Sequence, residues 1–194
     1  MRKVRPTKRA PRKLKVQWTA SADFKVPVPK DEPERLADLQ AYKVLDTPAE
    51  SAFDNLTSLA ALICDTPIAL ISLVDSHRQW FKSKVGVEVS ETPRDVSFCA
   101  HAIMKPDIFV IRDAHKDPRF ASSPLVTDSP KIRFYAGAPI VSPENHILGT
   151  LCVIDHVPRK LTPEQTEALQ ALSRQIMIQL QMRRKMLELQ EPSN

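Results

Sequence analysis

The chain is poor in cysteine. Its three cysteines, Cys64, Cys99 and Cys152, are an odd number set far apart. They make no disulfide framework, and a reducing cytoplasm is the expected compartment. No CxxC or HxxxH pair occurs, so no metal site is expected. No apolar run approaches the ~20 residues of a membrane-spanning helix. The N-terminus lacks the apolar core of a secretory signal. Glycine is equally scarce, with three in 194 residues.

Positive charge is abundant but unevenly spread. The net charge of +5 averages two unlike parts: residues 1–30 carry ten Lys or Arg against a single acid, Asp23, and the remainder is mildly acidic. Prolines at positions 6, 11, 27 and 29 add to the like charge in opposing a packed structure. Residues 1–32 are therefore expected to be a disordered, solubilising arm. A weak nucleic-acid or anionic-membrane contact by residues 1–30 is the sharper alternative, and a mitochondrial transit peptide is a third. Residues 33–190 have the length and apolar content of one domain with a core, and 191–194 are a tail.

Periodicity organises the domain. "PERLADLQAYKVL" places Leu36, Leu39 and Tyr42 at helical spacing. In "DTPAESAFDNLTSLAALIC", Thr47, Pro48 and Glu50 read as cap, first turn and capping box. Phe53, Leu56, Leu59, Ala60 and Ile63 follow as an apolar stripe. "TPIALISLVD" (66–75) has the composition of a central strand buried on both faces. "RQWFKSKVG" (78–86) alternates, with Gln79, Phe81, Ser83 and Val85 on one face, and Asp75–His77 turn the chain between the two. "DIFVIRDA" (107–114) is a third strand, and 133–141 with 147–155 form a second hairpin. Pro139 marks an edge or bulge there. Residues 115–132 are a long irregular segment, a class usually functional or mobile. Asp75 and Asp155 end strands and are expected to cap the turns that follow.

Thr162, Pro163 and Gln165 repeat the capping pattern before a stripe at Leu169, Leu172, Ile176, Leu180 and Leu187. A helix of this length projects beyond so small a domain, so a homodimer through residues 162–190 is expected, with Arg183, Arg184 and Lys185 flanking the seam. The order of elements predicts an α+β fold: an antiparallel sheet with helices on one face and loops on the other.

The chemistry-bearing residues gather in "ETPRDVSFCAHAI" (91–103). Cys99 and His101 are two apart and point to different sides of a helix, which opposes a nucleophile–base dyad. As metal ligands they lack third and fourth partners. Cys152 reads most simply as a small buried hydrophobe. A redox role for Cys99 stays open. Arg94, Arg119 and Arg133 have the planar fork that suits a carboxylate or phosphate. Asp95, Asp113, Asp117 and Asp155 are available to neutralise them, so internal ion pairs and one arginine left for an anionic ligand are both open. Trp80, Phe81, Phe98, Phe120 and Tyr135 can supply an apolar wall.

The strings "YKVLDTPAESAFDNLTSLAALICDTPIALISLVDSHRQWFKSKVGVEVSETPRDVSFCAHAI", "FVIRDAHKDPRFASSPLVTDSPKIRFYAGAPIV" and "LGTLCVIDHVPRKLTPEQ" resemble the GAF domain family, in the sub-type found at the sensory end of bacterial histidine kinases and diguanylate cyclases. The resemblance runs over roughly residues 34–185. It implies a central antiparallel sheet of about six strands, with terminal helices on one face and a small-molecule pocket under loops and short helices on the other. Trp80, Phe81, Arg94, Ser97, Phe98, Cys99, His101, Asp113, Arg119, Arg133, Tyr135 and Cys152 are the pocket candidates. No catalytic residue and no metal ligand is expected. "FCAHAI" departs from the pattern by which bilin-binding branches anchor a tetrapyrrole, so neither bilin nor haem is expected and the ligand is unnamed. The chain ends at Asn194 before any kinase, cyclase or DNA-binding domain, so the resemblance implies either a report to another protein, such as a histidine kinase or cyclase, or a domain that acts alone. Two rivals stand beside this sensor. One is a thiol-dependent enzyme resembling free methionine sulfoxide reductase, whose Gly-rich context the three glycines do not supply. The other is a ligand-free dimerisation or docking module.

Overall fold

A computed structural model describes residues 26–190; the expectations for the rest of the basic arm and for the 191–194 tail lie outside the described residues. Six antiparallel strands form one sheet: β1 (Ile68–Val74), β2 (Arg78–Val85), β3 (Glu91–Pro93), β4 (Phe109–Ile111), β5 (Phe134–Val141) and β6 (Ile147–Asp155). Their order is β3-β2-β1-β6-β5-β4. β1 therefore lies inside the sheet, and with both faces covered every residue of "IALISLV" is buried.

Helices α1 (Glu32–Ala41), α2 (Ser51–Cys64) and α5 (Pro163–Gln190) cover one face. Short helices α3 (Phe98–Ala102) and α4 (Pro124–Thr127), with long loops, cover the other. This is the α+β architecture expected. The strand alternation sorts the core into two layers. Ala69, Ile71 and Leu73 of β1, with Leu151 and Val153 of β6, face the helices, where they meet Phe53, Leu169 and Ile176. Leu70, Val74, Cys152 and Ile154 face the loops, where they meet Phe98, Phe120 and Leu125. β1 and β6 approach so closely at Gly149 that a Cβ there would stand 2.0 Å from the Ser72 carbonyl oxygen.

With so few glycines, left-handed backbone falls on other residues: Lys43, Asp46, Asp65, Lys131 and Asn145 all have positive φ. Asp65 closes α2 at φ 49°, its N–H reaching Leu62 O at 3.3 Å while Thr66 N–H reaches Ala61 O at 3.0 Å. Glycine would normally take this position.

Several local expectations are corrected. α2 begins at Ser51, not at Pro48; the Thr47 hydroxyl donates to Val44 O at 2.6 Å, and Glu50 is drawn away to Lys82. The buried face of α2 is Phe53, Thr57, Ala60 and Cys64, whereas Leu59 and Ile63 are exposed. The regular alternation of β2 is broken by a bulge, because Ile71 pairs with Ser83 and Ser72 with Phe81. Lys82 is the extra residue. Beyond it Ser83 donates to Asp54 of α2 at 2.6 Å, while Gln79 keeps to the loop side. β4 is three residues long, and it ends before Pro139, which pairs with Thr150 on its other side. Pro139 is thus locally at an edge, as its missing N–H requires.

The second capping box forms. Thr162 N–H donates to Gln165 Oε1 at 3.0 Å, and Gln165 N–H to Thr162 Oγ1 at 3.2 Å. α5 then runs 28 residues, about 42 Å. Two of its basic residues turn back onto the domain. Arg183 bonds Glu50 at 3.0 Å and the carbonyls of Tyr42 and Lys43, and Arg184 lies 4.6 Å over the Tyr42 ring. Asp75 and Asp155 cap their turns, accepting from Ser76 N–H at 2.7 Å and His156 N–H at 2.5 Å.

Candidate ligand-binding face

Under the loops, polar side chains converge inside an apolar layer. Ser97 caps α3, accepting from Ala100 N–H at 3.1 Å, which turns Phe98 and Cys99 onto the sheet. Phe98 stacks on Phe120 at 4.2 Å and on Tyr135 at 5.2 Å. A Cβ on Gly137 would stand 2.4 Å from the Tyr135 hydroxyl, so this glycine leaves room for the tyrosine tip over the strand. Tyr135 donates to Cys99 Sγ at 3.3 Å and lies 3.4 Å from Thr150 Oγ1, which also donates to Cys99 at 3.3 Å. Cys152 Sγ is 4.0 Å from Cys99 Sγ. Beside this cluster, Ser72 and Ser97 donate to Gln79 Oε1 at 3.3 and 2.5 Å, and Gln79 Nε2 donates to Thr92 at 2.6 Å.

These groups are buried and satisfy one another. Burial opposes ionisation of Cys99, but donors from Cys152, Thr150, Tyr135 and Ser72 favour its thiolate, making it the more acidic thiol of the pair. The bond to Cys99 and burial push Cys152 well above the usual thiol range. Burial likewise holds Tyr135 as the neutral phenol. Burial, with the Arg119 charge, lowers His101 to about 4, so it is neutral near pH 7 and lies edge-on to Phe120 at 4.7 Å.

Not every candidate joins this cluster. Phe81, Ser97, Phe98, Cys99, Tyr135 and Cys152 come together on the loop-covered side, with His101 at its rim. Trp80 faces the helices instead, because it alternates with Gln79 and Phe81. Arg133 grips Asp113 through Nε at 2.8 Å and Nη2 at 2.9 Å. Exposed Arg119 grips Asp117 at 2.9 and 2.6 Å while lying 5.1 Å over Phe109. Arg94 is buried against Glu32, not Asp95, and Asp155 holds Arg159 at 2.5 Å. The alternation of β2 places Gln79 on the Phe81 face but does not mark it as a site residue, and nothing in one sequence marks Thr150 or Gly137. Among the described residues, no three His, Cys, Asp or Glu side chains converge as metal ligands, and no helix is long and apolar enough to cross a membrane.

The sequence profile of the GAF domain matches residues 48–180. The chain belongs to the GAF domain family. A cyclic di-GMP phosphodiesterase of Pseudomonas aeruginosa is 40% identical over 168 residues, which are 86% of this GAF chain but 29% of that protein. The GAF domain of an Acinetobacter phosphoenolpyruvate-protein phosphotransferase superposes with a TM-score of 0.58 at 14% identity, covering 85% of this chain and 99% of that one. The reduced form of fRMsr from Staphylococcus aureus superposes at 0.52 with 17% identity, covering 75% and 94%. At such identities these two structures share the GAF fold with this chain.

Proposed function

We propose that this GAF domain is a sensory module: its loop-covered face takes a small molecule, and its helical face reports occupancy to an enzyme of cyclic di-GMP turnover. One observation carries the reading. A single sheet sends Thr150 and Cys152 into a convergent polar cluster and the intervening Leu151 into the core beneath α2 and α5. A ligand that repacks the first side therefore bears directly on the second. The relation to a phosphodiesterase over part of that enzyme's length supports the choice of output. The reporting surface proposed is a homodimer through α2 and α5. Native mass spectrometry of protein purified from its own host tests the input. A co-purified molecule lost in Thr150→Leu supports the sensor; a mass without adduct in both favours the docking-only alternative.

The 4.0 Å separation of Cys99 and Cys152 favours a second reading, a thiol reductase of free methionine sulfoxide. Cys99 would attack the sulfoxide sulfur and release methionine, becoming a sulfenic acid. Cys152 would condense with it to a disulfide and water, and an external dithiol would restore both thiols. Both thiols are buried, so the sensory reading is preferred. Turnover of methionine sulfoxide that vanishes in Cys99→Ser would reverse that preference.

A further inference from the structure

At the edge of the sheet, away from the Tyr135–Cys99 cluster, one carboxylate serves two buried arginines. Arg35 grips Glu32 side-on, Nε to Oε2 and Nη2 to Oε1, both at 2.8 Å. Arg94 reaches the same Oε1 through Nη1, which also donates to the Asp75 carbonyl at 3.1 Å. The side chains are 1% and 7% exposed. Two guanidinium charges thus share one carboxylate, and among the described residues no second carboxylate pairs with either, leaving one buried positive charge uncompensated there. An unpaired buried charge is costly, and an arginine cannot escape it by losing a proton.

The donors that remain show where compensation belongs. Among the described residues, nothing accepts from Arg94 Nε or Nη2, nor from Arg35 Nη1. The Nε–Nη2 edge is the one that Arg35, Arg119 and Arg133 each turn upon a carboxylate. In Arg94 the same edge is unfilled. Arg94 lines a cleft of about 470 Å³ whose other walls include Val26, Val28, Leu36 and Pro93. The exposed Asp95 also lines it.

We propose that this cleft is a binding site for a small monocarboxylate with a short branched apolar body, held side-on by Arg94. The planar fork matches a carboxylate's two oxygens. The valine, leucine and proline walls take the apolar body. Asp95 disfavours a second negative charge, which argues against phosphate and dicarboxylates. Val26 and Val28 belong to no helix or strand, and they are the wall that yields on entry. The site shares no lining residue with the sensory cluster, and its test is independent of that reading.

The test uses the full chain labelled with 15N and follows arginine Nε–Hε resonances, with the Arg94 signal assigned by its loss in Arg94→Lys. Isovalerate is the probe; 3-methylbutanol and inorganic phosphate are the controls. The expected result is a saturable shift of the Arg94 signal with isovalerate alone, the Arg119 and Arg133 signals staying in place, and binding at least tenfold weaker in Arg94→Lys. Leu36→Trp, which fills the cleft while leaving Arg94 in place, is expected to abolish the shift, and it carries the test if Arg94→Lys misfolds. No saturable shift at about 20 mM isovalerate, above the millimolar Kd that one such anchor supports, overturns the proposal. So does an equal response to phosphate or the alcohol, or unimpaired binding in Leu36→Trp.

Discussion

The ammonium of Lys82 lies 2.6 Å from Oε1 of Glu50, and Arg183 of α5 reaches the same oxygen at 3.0 Å. The β2 bulge that turns Lys82 inward, the start of α2 and the far half of α5 are thereby tied at one carboxylate. The Lys82 side chain is 0% exposed. Glu50→Gln keeps an oxygen that can accept but removes the negative charge, leaving that ammonium with neutral acceptors only, among them Thr47 Oγ1 and Pro48 O. A fully buried pair broken this way costs about 3–5 kcal/mol; Glu50 is partly exposed, so roughly 2 kcal/mol is expected. Urea unfolding of the two proteins measures it, and a difference under about 0.5 kcal/mol would remove the tie.

That tie also explains what the sequence could and could not say. Apolar periodicity exposed β1, the two hairpins and the α5 capping box, because each is a local pattern. The Thr47–Glu50 capping box looked equally sound, but Glu50 has a stronger partner 32 positions away in Lys82. Arg183 broke the α5 stripe for a similar reason: it packs on α1–α2 backbone some 140 positions distant. The family resemblance named Cys99, Tyr135 and Cys152, which the fold brings into one buried cluster, while Thr150 and Gly137 were not named. Their roles depend on which strands are neighbours, and that is a tertiary fact. Trp80 failed for a smaller reason, the side of the strand on which it falls.

Acid stability should depend on Glu32. Burial raises its pKa, but bonds and charge from Arg35 and Arg94 outweigh this and bring it down to about 2 from 4.5. A carboxyl whose folded pKa is depressed stabilises the fold above its unfolded value and loses that contribution as pH falls through the folded value. Stability is therefore expected to drop between about pH 4.5 and 2 by up to about 3 kcal/mol from this group. Glu32→Gln should flatten that limb of a pH-dependent unfolding curve. An unchanged slope would show that the carboxylate is not the anchor.

The thiols should be protected at neutral pH, and Cys64 should destabilise the fold in alkali. Cys64, Cys99 and Cys152 are all buried, so Ellman's reagent should react slowly with native protein and with three equivalents once it is unfolded. Burial pushes Cys64 up to about 11 from 9. A raised folded pKa stabilises below the unfolded value and is lost as pH rises through the folded one, so stability should fall between about pH 9 and 11. Cys64→Ala is expected to lessen that fall. A rapid single-thiol burst at pH 7 would instead mark Cys99 as accessible and favour the reductase reading.

The helical face carries the prediction on assembly. Leu59, Leu62 and Ile63 of α2, with Ile178, Met182, Met186 and Leu189 of α5, are exposed, and α2 packs directly on α5. Leu62 is 77% and Met182 53% exposed, so charging them costs the lone chain little. A stable dimer needs about 800 Å² per partner, and two adjacent helices with seven large apolar side chains supply the surface. Sedimentation at micromolar concentration is expected to give a dimer for the full chain and a monomer for the Leu62→Glu, Met182→Glu double variant, with unchanged circular dichroism. A wild-type monomer would end the proposal. A dimer that survives both charges would move the interface to another face, and the signal would then leave the sheet by a route other than α2 and α5.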